Sequence, residues 1–301
     1  RQLLAAVMAL LTLAGVGSLL VARRRRTLLP AFAGGLALVA AWFATIEPGG
    51  ERDWTVDVAR APWATIDGNM VTIHEVRNFA WRTETDFTPR WETRTVDLRR
   101  LKGVDLVASY WMGDAIAHIL VSFEFEDAPP LAVSIETRKE VGEAYSTVLG
   151  FFKRYELVYV VADERDLIGV RTNVRADPPE DVYLYQVAVP RENARRLFLE
   201  YVRRMNDLHA HPAFYNTATT NCTTVAMVNT RVNGDVSLWN WKILLSGYLP
   251  ELAWERGRLD QELPFAELRR RSRINDAARA AGIDAADFSA RIRAGLPAVA
   301  R

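Results

Sequence analysis

Residues 3–22 and 27–46 contain no charged side chain. Each run is about the twenty residues needed to cross a hydrocarbon core of roughly 30 Å. A core helix of a water-soluble domain ordinarily keeps a polar face, and both runs lack one. A cleaved signal peptide would account for the first run but not for a second directly after it. The pair predicts a two-helix transmembrane hairpin over residues 1–47, with residues 48–301 as one further domain. Between the runs stand Arg23, Arg24, Arg25 and Arg26, and short arginine-rich loops are retained on the cytoplasmic side. Both ends of the hairpin then lie on the outer side, so the chain after Glu47 is expected to be extracytoplasmic.

The remaining charge is balanced, with 38 Lys and Arg against 37 Asp and Glu. No net field attracts nucleic acid, which excludes that class of partner. Cys222 is the single cysteine, so an intrachain disulfide is impossible and the thiol is either a small buried hydrophobe or a reactive group.

Beyond the anchor the pattern is α+β. Residues 54–91, rich in Trp, Thr, Val and Asp, read as irregular β structure. Strands are expected at 104–110, 116–125, 131–137, 155–161, 167–172 and 182–189, where β-branched and aromatic residues gather. Asp127, Ala128, Pro129 and Pro130 turn the second into the third as a hairpin. Residues 191–208 carry Leu197, Phe198, Tyr201, Val202 and Met205 at helical spacing. A second helix is expected to begin near Cys222 and stop by Gly234, and the tail after Pro264 reads as helical.

The sequence Thr219-Thr220-Asn221-Cys222-Thr223-Thr224 places N-cap residues directly before the cysteine. A cysteine in the first turn of a helix meets unpaired N–H groups and the positive end of the dipole, which favour a thiolate. The same N–H groups suit an oxyanion in acyl transfer, with Asn221 beside it as a substrate contact. The bland alternative is a cysteine that only packs the helix on the sheet. A thiolate nucleophile needs a base, and His118 is the best placed of the four histidines. It shares a strand face with Ser122, while Ile119, Val121, Phe123 and Phe125 occupy the other. In a hairpin in register, Ser134 or Glu136 on the next strand would orient the imidazole. A metal site from His209, His211 and Cys222 matches no common ligand spacing, and no cofactor is implied.

The stretches AHILVSFEF, SIETRKEVGEAYS, YELVYVVADERDLIGVRTN and FYNTATTNCTT, in that order, resemble the Lnb N-terminal periplasmic domain family over roughly residues 53–247. That family is named for an enzyme that makes lyso-form bacterial lipoproteins by moving an acyl chain onto the N-terminal amine. The resemblance implies a Cys222–His118 pair, to which the strand pattern adds Glu136 as the candidate third catalytic residue. The order of His on a strand, a polar residue on the next and Cys on a later helix is similar to the permuted branch of the papain-like fold. It further implies a domain facing the periplasm from the bacterial inner membrane, with the bilayer and a lipid or lipoprotein acyl donor as partners.

Arg138 and Arg171, at the ends of two expected strands, are candidates to hold a lipid phosphate bidentately. Ion pairs with Glu140, Glu164 or Asp166 are the plainer reading of both. Trp239, Trp241, Leu244, Leu245 and Tyr248 share a helical face, which suits a core better than a membrane interface. The expected function is a thiol-dependent acyltransferase or acyl hydrolase. A papain-like peptidase or amidase of the envelope, or a non-catalytic envelope protein with a structural cysteine, are the alternatives.

Overall fold

The computed structural model describes residues 12–13, 15–17, 25–50, 52–234 and 240–299. The chain divides into two units, Arg1–Pro48 and Gly49–Arg301. In the first, Arg25–Ala44 form one helix, α1, with Pro30 in its first turns. Leu36, Leu38 and Trp42 on it are exposed.

Among the described residues no helix is long and apolar enough to cross a membrane. The expected hairpin is thus not seen among the described residues. The first uncharged run falls mostly outside the described residues, and α1 winds Arg25 and Arg26 into its own start instead of leaving them in a loop.

In the second unit, alternating apolar residues build ten strands among the described residues. They are β1 (Trp63–Asp67), β2 (Met70–Arg77), β3 (Ala80–Trp81), β4 (Phe87–Thr88), β5 (Trp91–Asp97), β6 (Leu101–Tyr110), β7 (Ala117–Phe125), β8 (Leu131–Arg138), β9 (Glu156–Asp163) and β10 (Asp181–Gln186). One sheet runs in the order β1-β2-β9-β8-β7-β6-β10, with β5 also on β2. It is antiparallel except where β2 meets β9 at Arg77↔Ala162. Its centre is the meander β6–β9.

The helices are α2 (Glu164–Leu167), α3 (Arg191–Ala210), α4 (Cys222–Thr230), α5 (Trp241–Leu244), α6 (Leu249–Glu255), α7 (Phe265–Arg271), α8 (Asn275–Ala281) and α9 (Phe288–Arg293). Strand alternation sends Ile119, Val121 and Phe123 into a first core with Phe198 and Tyr201 of α3, Met227 of α4 and Leu252 of α6. Leu120, Ala132 and Val160 point the other way, into a second core with Ile168, Ile274, Phe288 and Ile292. Helices thus cover both faces of the sheet. The polar face read on β7 is buried too: Ser122 is fully buried and donates to Glu164 Oε1 at 2.5 Å.

Residues 167–172 form no strand. Asp163 caps α2 by accepting from the Arg165 N–H, and the chain continues as a π-helical turn over Val170–Val174. A short apolar run does not by itself separate strand from buried helix, and here Leu167, Ile168 and Val170 are buried in the second core. The expected core stripe around Trp241 is also corrected, because Trp241 is 56% and Leu244 66% exposed. The four residues of α5 are too few to bury one continuous face. Trp239 lies outside the described residues.

Candidate functional site

The β7–β8 ladder runs from Phe123↔Leu131 to Leu120↔Ser134 and ends there, whereas β8 stays paired with β9 as far as Arg138↔Glu156. Beyond Ser134 the first residues of β7 therefore lose their neighbour on that side. Helix α4 packs on both strands at this end, and its first residue is Cys222. The thiol lies 3.7 Å from Thr223 Oγ1, and its ionisation is favoured by the His118 ring and the Ile119 N–H. His118 alternates with Ile119 and shares the face of Leu120, the second-core side. Thiol and imidazole meet from opposite faces, through the opening between the strands.

The helix start is fixed by a full capping box. The Asn221 side chain accepts from the N–H groups of Thr223 and Thr224, both at 2.9 Å, and Thr224 Oγ1 accepts from Asn221 N at 2.9 Å. The amide of Asn221 also donates to the Thr217 carbonyl at 2.7 Å. The Asn221 side chain is engaged with the backbone, where it sets the position of Cys222.

On the far side of the imidazole, Nε2 lies 2.6 Å from Ser134 Oγ and 3.1 Å from Glu136 Oε1. Ser134 in turn donates to Glu136 Oε1 at 2.6 Å. With Nε2 so occupied, Nδ1 is the ring nitrogen left for the thiol. Glu136 is held from behind by Arg171, whose Nη2 donates to Oε1 at 3.0 Å. Arg171 is 4% exposed and also faces Glu180 at 3.6 Å, while Glu180 is bound by Ser109 and Arg175.

These contacts set the protonation states. Burial raises the Cys222 thiol, but the His118 charge and hydrogen bond, with the Ile119 N–H, outweigh it and hold the thiol below its usual range. Burial lowers His118, yet the charges of Glu136 and Cys222 push it up to about 9. Burial also opposes ionisation of Glu136, but His118 and Arg171 keep that carboxyl well below the usual carboxylate range. The contacts favour a thiolate–imidazolium pair, backed by a carboxylate.

Of the residues singled out in the sequence, Cys222, His118 and Glu136 come together. The two arginines do not serve as anion sites. Arg171 is buried behind Glu136, and Arg138 donates to the Val58 and Ala59 carbonyls at 3.0 and 2.7 Å with its guanidinium 4.5 Å from the Trp54 ring centre. Their partners are not Glu140, Glu164 or Asp166, and the last two are buried. Sequence reasoning missed Ser109, Glu180 and the Ile119 N–H; nothing local marks them, since each matters only through a neighbour far away in the chain. His209 and His211 are not gathered with Cys222: His209 Nδ1 sits 3.2 Å from the Ala61 carbonyl. Among the described residues no group of three or more His, Cys, Asp or Glu could hold a metal ion.

Comparison with curated proteins and with solved structures returns no match. One family does match, described as the Lnb N-terminal periplasmic domain, over residues 87–247. The match begins later than residue 53, leaving β1 and β2 outside it, and takes in every member of the cluster from Ser109 to Cys222. It covers more than half of the 301 residues. The chain therefore belongs to the Lnb N-terminal periplasmic domain family, a family of the cell envelope.

Proposed function

We propose that the protein is a thiol-dependent acyltransferase or acyl hydrolase of the bacterial envelope, acting on lipid or lipoprotein acyl groups with Cys222 as nucleophile. The observation that carries this is the Cys222–His118–Glu136 relay through the β7–β8 opening. A merely structural cysteine has no need of an imidazole whose other nitrogen is fixed by a carboxylate that a buried arginine holds in place. The order His, carboxylate, Cys along the chain also supports a permuted papain-like relationship. The family supports an acyl rather than a peptide substrate, and anchoring at the inner membrane belongs to the same reading.

The chemistry is set by the groups in place. The Cys222 thiolate attacks the acyl carbonyl carbon, forming a C–S bond and a tetrahedral oxyanion. The Cys222 N–H suits that oxyanion, because first-turn N–H groups have no intrahelical partner and Asn221 takes only those of Thr223 and Thr224. Collapse breaks the acyl C–O bond, and the leaving alkoxide takes the proton from His118. Neutral His118 then accepts a proton from an incoming amine or water, which displaces the thiolate and releases the acyl product. Glu136 stabilises the imidazolium at both stages.

The test is to trap the thioester. Protein incubated with phospholipid or a diacylated lipopeptide, with no competent amine, should gain one fatty-acyl mass that hydroxylamine removes. Cys222→Ala should show none, and an added N-terminal lipopeptide amine should discharge the thioester faster than water does. Turnover that continues while no acyl mass ever appears would rule out covalent catalysis at Cys222. An acyl mass loaded only by peptide substrates would favour the envelope peptidase reading instead.

A further inference from the structure

On the first-core side of the sheet, the described residues enclose a cavity of about 590 Å³ between β6, β7, α3, α4 and α6. Protein interiors carry few voids larger than a water molecule. A space of this size falls instead in the roughly 300–1,000 Å³ range of ligand sites. Its walls are chiefly aliphatic, with Val121, Leu197, Ala226 and Leu252 among them.

Three features tie the cavity to the thiol. Ile119 lines it and is the residue whose N–H reaches Cys222. Tyr201 lines it as well and belongs to the core against which Cys222 packs. Ala226, one helical turn beyond Cys222 on α4, forms part of the same wall. From Ile119 the lining continues along β7 and β6 to Val104, the partner of Phe123, four residues further and about 13 Å at strand rise. The lining therefore begins one residue from His118, at Ile119, and one helical turn from Cys222, at Ala226, and runs along the sheet from there.

The geometry points to this cavity as the site of the fatty-acyl chain, with the acyl carbon held at Cys222 and the chain laid between β6–β7 and α3–α4. The assignment deepens the acyl-transfer reading and rests on it. A lining that is chiefly aliphatic, with charge only at Asp105, Arg256 and Arg258, suits a hydrocarbon chain rather than a peptide, whose amide groups would go largely unpaired there.

The test uses n-alkyl methanethiosulfonates from methyl to decyl on the full chain. Each reagent transfers its thioalkyl group to the Cys222 thiolate as a disulfide and expels methanesulfinate, so labelling needs no acyl chemistry. Relative to glutathione, the labelling rate should rise about two- to fourfold per added methylene, the effect of moving each from water into the apolar cavity. Ala226→Phe and Ala253→Phe narrow the cavity from α4 and α6 respectively. In each, the ratio of decyl to methyl rates should collapse toward that of glutathione. A wild-type profile that merely parallels glutathione overturns the assignment, and so does a steep profile that survives both substitutions. A steep, cavity-dependent profile in a protein that never forms a lipid-derived thioester would keep the chain site and sink acyl transfer. A thioester with a flat profile would do the reverse.

Discussion

Replacing Glu136 with Gln keeps the shape of the side chain and removes the charge that the relay depends on. At 3.1 Å from His118 Nε2, that charge is worth about 5 kcal/mol to the imidazolium at an effective dielectric near 20. Burial works against it. The net result, His118 at about 9 instead of its ordinary 6.5, corresponds to roughly 3 kcal/mol. Without the carboxylate, only Cys222 opposes burial at the imidazole, and His118 falls from its raised value. The Cys222 thiolate then loses its neighbouring cation, and its population at neutral pH should fall on the order of a hundredfold. The surviving thiolate is more basic and hence more nucleophilic, with a Brønsted coefficient near 0.4–0.5 that returns about half of the loss on a logarithmic scale. The expected result is an iodoacetamide rate about tenfold lower at pH 7.

The pH profile carries the sign. In the unsubstituted protein His118 is raised, so its charge persists through neutrality and is lost as pH rises through about 9. Cys222 is lowered, so the thiolate persists toward acid. Alkylation should thus stay fast well below the pH at which a free thiol reacts, and acyl transfer, which needs the imidazolium to protonate the leaving group, should decline above about 9. In Glu136→Gln the onset of alkylation should move to higher pH. Thermal unfolding separates this from damage to the fold, because Arg171 keeps Glu180 at 3.6 Å and the Gln carbonyl as acceptors. A folded variant whose rate and pH profile superimpose on the parent would refute the role given to Glu136.

Asn221→Ala removes the acceptor for two first-turn N–H groups and should cost about 1 kcal/mol by denaturant titration. It should also slow alkylation of Cys222; a less stable protein with an unchanged thiol rate would show that the cap does not position the nucleophile. Gly247→Ala would drive a methyl group into the Asp114 carbonyl and to within 2.8 Å of the Ala115 backbone carbon, a misfit that should cost roughly 1–3 kcal/mol. The displaced segment leads directly into His118, so thiol reactivity should fall with stability, and a variant that melts like the parent would refute the close approach.

The parts of this site readable in the sequence are those with a local period. Alternation in residues 116–125 and 131–137 separates His118 from the Ile119 face and sets Ser134 and Glu136 opposite it, because a hairpin in register leaves few choices. Asn221 before Cys222 announces the helix start by capping chemistry. Where period and environment part company, the sequence misleads. Residues 167–172 are apolar enough for a strand, but Asp163 caps a helix and Gly169 lies where a Cβ would come within 2.9 Å of Ile283. Arg138 and Arg171 advertise anion binding by type alone, and only tertiary contacts show them already occupied. The polar face of β7 suggests solvent because its carboxylate and arginine partners come from remote segments. Arg293 reaches Asp105 at 2.7 Å and Glu164 at 2.5 Å from near the end of the chain.

That remote covering explains why the reactive pair can exist in the middle of a sheet. A strand buried on both faces ordinarily excludes charge, and an imidazolium there needs a compensating anion that is itself fixed. Glu136 meets that requirement only because β8 leaves β7 after Ser134 yet stays on β9, which carries Glu136 to the imidazole instead of into a closed ladder. The same divergence frees the Ile119 N–H, which a continued ladder would have claimed, for the thiolate. Nucleophile, base and carboxylate therefore depend on one structural event. Lengthening the β7–β8 pairing by two residues would stabilise the sheet and at the same stroke close the opening through which Cys222 reaches His118.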